Sequence, residues 1–280
     1  MVDSVDWQAY GDDPARTVVG DVSVSTPVYS PRLDNSRELF VYVPPSYETT
    51  ERTYPVVYMH DGQNLFDETT SYAGEWGVDE TMERLAASGV EAIVVGVPNQ
   101  GDRRFAEYSP FRRTDSAGLD GTIPDDGVPG RADEYLAYLV ETVKPVVDGR
   151  FRTTSSSSET ALVGSSMGGL VSLYGCFEYP GTFGAAGVLS PAFWWVGADI
   201  FEYVTRADAL PERVYVDVGG NERPDDPERS RAYVADAERM VALLRDCGVS
   251  TLRYREDPDA RHHEAAWRRR LPDALRFLLC

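Results

Sequence analysis

T-A-L-V-G-S-S-M-G-G-L-V-S-L-Y-G-C-F, residues 160–177, is the stretch from which the rest of the chain is read. Residues 160–163 are a short apolar run, as expected of a strand buried on both faces of a parallel sheet. Residues 168–177 are apolar and long enough for a helix. Between them, Gly164, Ser165, Ser166, Met167 and Gly168 match G-x-S-x-G. Alone, this pattern says little, because Gly and Ser are common residues. Set between a strand and a helix, it is the signature of a nucleophile elbow. The glycines flanking Ser166 permit a tight turn that holds its hydroxyl at the carboxyl end of the sheet, above the helix N-terminus. Gly169 adds room for close packing. Centring the motif on Ser165 fails, since Val163 and Met167 would then occupy the glycine positions.

Working outward, the chain alternates between strand and helix patterns. Residues 18–24 and 39–43 are rich in β-branched and aromatic side chains, with turn residues Pro31, Asp34 and Asn35 between them. Pro44 and Pro45 stop the second strand, and residues 55–59 are a buried strand. A helix at 79–87 and a strand at 92–97 follow. Next come a helix at 133–147, with Pro145 near its end, the 160–177 unit, and strands at 185–189 and 214–218. A helix at 230–247 ends at Gly248, a strand occupies 251–254, and the closing helix spans 264–279. This rhythm predicts an α/β fold: a mostly parallel central sheet flanked by helices, with a β-rich N-terminal region. No internal repeat is visible, and a single domain over residues 1–280 is expected. Residues 98–130 are rich in Gly, Asp, Arg and Pro and lack periodicity. A loop of roughly thirty residues inside a compact domain points to function rather than to a linker, because the sheet resumes after it.

A serine hydroxyl needs a base to become nucleophilic. The chain has His60, His262 and His263. In the strand–elbow–helix setting the order is Ser, acid, His, so His262 or His263 is the candidate base and His60 is read as structural. The acid should follow the preceding strand. V-Y-V-D-V-G-G-N-E at 214–222 runs out through a Gly-rich turn to Glu222. Asp217 lies within the strand; Asp225 and Asp226 are alternatives. An oxyanion hole takes the N–H of the residue after the nucleophile, Met167, and a second N–H from an early loop. Y-M-H-D-G-Q-N-L-F at 58–66 suits that role, with Gly62 allowing close approach and Gln63 as donor.

The net charge is −19, and Lys144 is the only lysine. So acidic a surface repels phosphate backbones and argues against nucleic acid as a partner. Dense carboxylates with almost no lysine are the composition of proteins adapted to molar salt, which screens their self-repulsion. Cys176, Cys247 and Cys280 are far apart and lack metal-site spacing, so free thiols and a reducing compartment are expected. No run approaches the ~20 apolar residues of a membrane span. Residues 1–20, with Asp3, Asp6, Asp12 and Asp13, lack the apolar core of a secretory signal, so a cytoplasmic location is expected. No cofactor or metal is expected. The cluster His262, His263 and Glu264 is a poor metal site, because adjacent histidines point in different directions. The expected partner is a small-molecule substrate, and the sequence does not set the oligomeric state.

Taken together, these segments resemble the "putative esterase" family of α/β-hydrolases, which includes enterochelin esterases, feruloyl and acetyl esterases and mycolyltransferases. The resemblance covers nearly the whole chain. It is carried by H-D-G-Q-N-L-F at 60–66, E-Y-S-P at 107–110, G-S-S-M-G-G at 164–169, S-P-A-F-W-W at 190–195, D-V-G-G-N-E at 217–222 and H-H-E-A-A-W at 262–267, in the family's order. It implies an α/β-hydrolase fold and cleavage of a carboxylic ester through an acyl-enzyme. Ser166 would be the nucleophile and Glu222 the acid. The family reads H-N-E-x-x-W at the last motif, which implies His262 as the base, with His263 where Asn is usual. The candidate substrate-binding residues are Asp61, Trp76, Arg104, Tyr108, Trp194 and Trp195. Tyr72 is a further aromatic candidate. For Arg103, Arg104, Arg112 and Arg113, pairing with surface carboxylates is the favoured reading. The alternatives are a siderophore trilactone hydrolase and an inactive ligand-binding relic.

Overall fold

In a computed structural model the described residues are 5–11, 14–116 and 123–280. Parts of the acidic N-terminal stretch (1–4, 12 and 13) and of the long loop (117–122) lie outside them. The strands are β1 (Trp7–Ala9), β2 (Asp21–Ser25), β3 (Val28–Ser30), β4 (Asn35–Arg37), β5 (Phe40–Val43), β6 (Val56–His60), β7 (Ile93–Val97), β8 (Thr160–Ser165), β9 (Ala185–Leu189), β10 (Arg213–Gly219) and β11 (Thr251–Asp257). The helices are α1 (Val78–Ala86), α2 (Arg104–Glu107), α3 (Ala132–Tyr138), α4 (Lys144–Arg150), α5 (Met167–Glu178), α6 (Ala198–Thr205), α7 (Pro227–Cys247) and α8 (Glu264–Leu279).

A sheet in the order β1-β2-β5-β7-β6-β8-β9-β10-β11 runs through the molecule. Its first members pair antiparallel, through β5 against β7. From β7 to β11 every pairing is parallel. The mostly parallel sheet and the β-rich N-terminal side are thus as read from the sequence. Strand alternation divides the core. Val56, Tyr58, Leu162, Ala186, Val188, Val216 and Val218 face the cluster covered by α3, α5, α6 and α7. Their neighbours Val57, Met59, Ala161, Val163, Leu189 and Tyr215 face the cluster covered by α1 and α8.

Five features were not anticipated. β1 adds an edge strand, and the Pro31–Asn35 turn belongs to a separate two-stranded sheet of β3 and β4. The long loop contains the single-turn helix α2, and α6 follows Gly197, whose φ of 57° breaks the chain direction. The predicted helix at 133–147 is not uniform. α3 passes through a π-helical turn, Leu139–Val143, into α4, which carries Pro145 in its first turn. The wider turn lets a ring that lacks an N–H join the helix. All three cysteines are free thiols. No described helix is long and apolar enough to cross a membrane.

Candidate active site

Ser166 sits between β8 and α5 with φ 58° and ψ −120°, a region that non-glycine residues rarely occupy. The surroundings hold it there. Its N–H donates to the Leu189 carbonyl at 2.9 Å, and its carbonyl accepts from Leu170 N at 3.1 Å and Ala192 N at 3.0 Å. A Cβ on Gly164 would lie 2.8 Å from the Gly168 carbonyl carbon and 2.9 Å from a His60 ring carbon, so only glycine fits. Met167 is the first residue of α5, and its N–H therefore has no intrahelical acceptor.

Glu222 and His262 meet across the loops that follow β10 and β11. The imidazole Nδ1 lies 2.7 Å from Glu222 Oε2, and the His262 N–H donates to the Glu222 carbonyl at 3.1 Å. The Trp267 and imidazole rings stand nearly perpendicular, with centroids 5.0 Å apart. Burial pushes the Glu222 carboxyl up. The hydrogen bond and charge of His262, with donors from Ser190 and Gly219, outweigh burial and hold it below its ordinary value. The other candidates stand elsewhere. Asp225 is exposed beside Arg223, and Asp226 caps α7 by accepting from Arg229 N at 3.0 Å. Asp217 is buried against Arg270 at 3.0 Å. His263 caps α8, its Nδ1 accepting from Ala265 N at 3.2 Å. His60 is buried, bonded to the Tyr135 hydroxyl at 2.7 Å, and pushed down to about 4 by burial. It is a neutral packing residue, as expected.

Ser166 and His262 open on one cavity of about 510 Å³, whose walls include Gln63, Asp61, Arg104, Trp76, Trp267 and Tyr72. Asp61 carries the loop after β6 with φ 57°. Its carboxylate takes a two-pronged bond from Arg104, at 2.7 and 2.8 Å, and a third from Asn99 at 2.7 Å. Burial raises the Asp61 carboxyl, but Arg104 and Asn99 prevail and keep it low. A Cβ on Gly62 would lie 2.5 Å from the Gly96 backbone, so the turn packs directly on β7. The Gln63 peptide is fixed from both sides. Thr70 Oγ1 donates to its carbonyl at 2.7 Å, and its side chain accepts from Asn99 N at 3.2 Å.

The substrate-binding candidates divide. Asp61, Trp76 and Arg104 line the cavity, and so does Tyr72, which is 90% exposed at its rim. Tyr108 does not; it is fully buried beneath the loop, its hydroxyl accepting from Asp61 N at 3.2 Å. Trp195 is turned away into the core, donating to Ser109 Oγ at 2.8 Å, and Trp194 packs against Tyr233. Both belong to a one-turn helix that docks on α7 rather than on the cavity. The surface reading of the arginines fails for two of them. Arg104 binds Asp61 in the cavity wall, and Arg113 is buried, donating to the Trp195 carbonyl at 2.8 Å. Sequence reasoning also missed Asn99, Ser190, Trp267 and Arg270. Ser190 and Trp267 sit in quoted motifs, and Arg270 ends a triple-arginine run conspicuous in so acidic a chain.

Residues 30–278 match the family described as "Putative esterase". The chain belongs to that family. This esterase is 24% identical over 245 residues to the uncharacterized protein YbbA of Bacillus subtilis, covering 87% of this chain and 92% of that one. It is 33% identical over 151 residues to the siderophore triacetylfusarinine C esterase of Aspergillus fumigatus, covering 53% of this chain and 47% of the relative, and so spans about half of that protein. Its fold is that of an IroE-like serine hydrolase from Shewanella oneidensis, with a TM-score of 0.71, 20% identity and coverage of 91% and 79%. The fold is therefore that of an α/β-hydrolase, and the class of activity is carboxylic ester hydrolysis.

Proposed function

We propose that this esterase cleaves its substrate by acyl transfer to Ser166, with His262 as general base and Glu222 as the acid that orients it. The observation that carries the reading is the shared cavity: a strained elbow serine and a carboxylate-bonded histidine open on the same space. The ionised Glu222 has only acceptors, so the imidazole proton resides on Nδ1 and leaves Nε2 to take the Ser166 proton. Ser166 Oγ attacks the ester carbonyl, and the alcohol leaves with the proton returned by His262. Water, deprotonated by the same ring, then releases the acid and frees Ser166. The oxyanion is held by the N–H groups of Gln63 and Met167.

Tyr72, Trp76, Phe105 and Trp267 make the cavity aromatic, while the paired Arg104 and Asp61 form a polar part of its wall. That combination suits an ester of an aromatic or phenolic acid. The fungal relative, named for a siderophore ester, supports a second reading, a siderophore ester hydrolase. At about 510 Å³ the cavity suits one arm of such a molecule, and the rest would lie over the rim at Tyr72.

A fluorophosphonate should label the wild type at Ser166, and Ser166→Ala should abolish labelling and lower kcat/KM by about a thousandfold or more. A labelled, fully active alanine variant would refute the assignment. A panel of p-nitrophenyl and feruloyl-type esters beside a catecholate trilactone separates the two substrate readings.

A further inference from the structure

Resting on the Ser166–His262–Glu222 reading, the geometry points to Ser190 as a positioning residue, which aims the Glu222 carboxylate at His262 under the direction of buried Arg270. Ser190 directly follows β9 and is one of four described non-glycine residues with positive φ, at 43°. It is fully buried. Its Oγ accepts from Arg270 Nη2 at 2.7 Å and from Trp267 Nε1 at 3.1 Å. Both partners are obligate donors, and a hydroxyl has two acceptor lone pairs and one proton. With both lone pairs engaged, the proton has one destination, Glu222 Oε1 at 2.6 Å. Gly219 N donates to the same oxygen at 2.5 Å, which leaves Oε2 for His262.

The role of Arg270 follows from its isolation. It is fully buried on α8, with its charge matched by Asp217 at 3.0 Å on β10. A buried pair kept only for packing is often replaceable by apolar residues of similar volume. This one lends a third partner, Ser190, the donor that orients its hydroxyl. The charged and titratable groups around Glu222 are His262 from the loop before α8, Asp217 from β10, Arg270 from α8 and Tyr233 from α7. Asp217 repels the carboxylate. Ser190 and Gly219 N offset that repulsion on the side away from His262. Without the Ser190 proton, Glu222 becomes more basic and retains the His262 imidazolium more strongly, so less neutral base is present at a given pH.

The test compares Ser190→Ala and Ser190→Gly with the wild type, using an ester of the panel above. The glycine variant suits the positive φ, so it removes the hydroxyl while relieving the backbone. Both should lose kcat by roughly tenfold to a hundredfold, the equivalent of one charge-assisted hydrogen bond. KM should stay within about twofold. The acid limb of the kcat/KM profile should move to higher pH, and fluorophosphonate labelling should shift in parallel, while the melting temperature of the glycine variant stays at or above that of the alanine variant. An acid limb that stays in place in both variants overturns the assignment, whatever happens to kcat. Loss of labelling in the wild type would instead overturn the catalytic reading, and this inference with it. Labelled wild type with unshifted variants overturns the inference alone.

Discussion

His262 and His263 leave consecutive backbone units, and the fold puts them to different uses. The first faces the cavity and Glu222; the second points out and caps α8. His263→Ala should therefore retain turnover within about twofold while costing roughly 0.5–2 kcal/mol of stability, the range of a lost helix cap. His262→Ala should abolish turnover, with a loss of about 1–3 kcal/mol of stability because buried Glu222 loses a partner. Assays and thermal melts of the two variants check this, and the opposite pattern would move the base to His263. Much of this scale was legible, because Ser166, Glu222 and His262 come in the expected chain order and lie just after strands. Arg104 was not. Its distinction from Arg103 and Arg112 is a contact with Asp61, forty-three residues away. Ser190 stayed silent for a similar reason, since its partners Glu222, Trp267 and Arg270 arrive from two later elements.

At the scale of elements, the N-terminal turn of α1 carries an unusual concentration of charge. Carboxylate oxygens of Glu75, Asp79 and Glu80 lie within 4.8 Å of one another, answered by Arg268 of α8, which reaches Glu80 at 2.9 Å. Asp79 is fully buried, and its carboxyl is pushed up to about 8, by burial first and then by Glu80 and Glu75, against a bond from Val19 N. The folded state thus holds this proton more tightly than the unfolded chain, whose carboxyl titrates near pH 4. The stability linked to it is complete below about pH 4 and is lost as pH rises through about 8. Asp79→Asn, whose amide oxygen can still accept from Val19, should remove this decline. Its melting temperature should overtake the wild type's as pH rises across that window, and parallel curves would disprove the shift. The sheet was easier to read than such packing. Parallel strands are continuous apolar runs, whereas β3, β4 and α2 are too short to show a period. The π turn before Pro145 leaves no trace in hydrophobic spacing.

For the whole molecule, charge dominates. With a net charge of −19 and Lys144 as the only lysine, self-repulsion opposes compaction wherever salt does not screen it. We expect the melting temperature to climb as salt rises from about 0.1 M to 1 M and beyond, where the Debye length falls from ~10 Å to ~3 Å. Retained structure and activity after prolonged dialysis into low salt would contradict this expectation. Composition alone suggested it. Buried pairs such as Arg37–Glu107, which brace the loop carrying Arg104 and Tyr108, should be largely insensitive. The sheet also separates two unequal halves. The thinner cover, α1 with α8, is the one that joins the His262 loop. Partial opening on that side would withdraw His262 from the cavity it shares with Ser166 while the larger core stayed intact. On the catalytic reading proposed above, the molecule would then fall silent while still folded, through the detachment of α8 rather than the melting of the sheet.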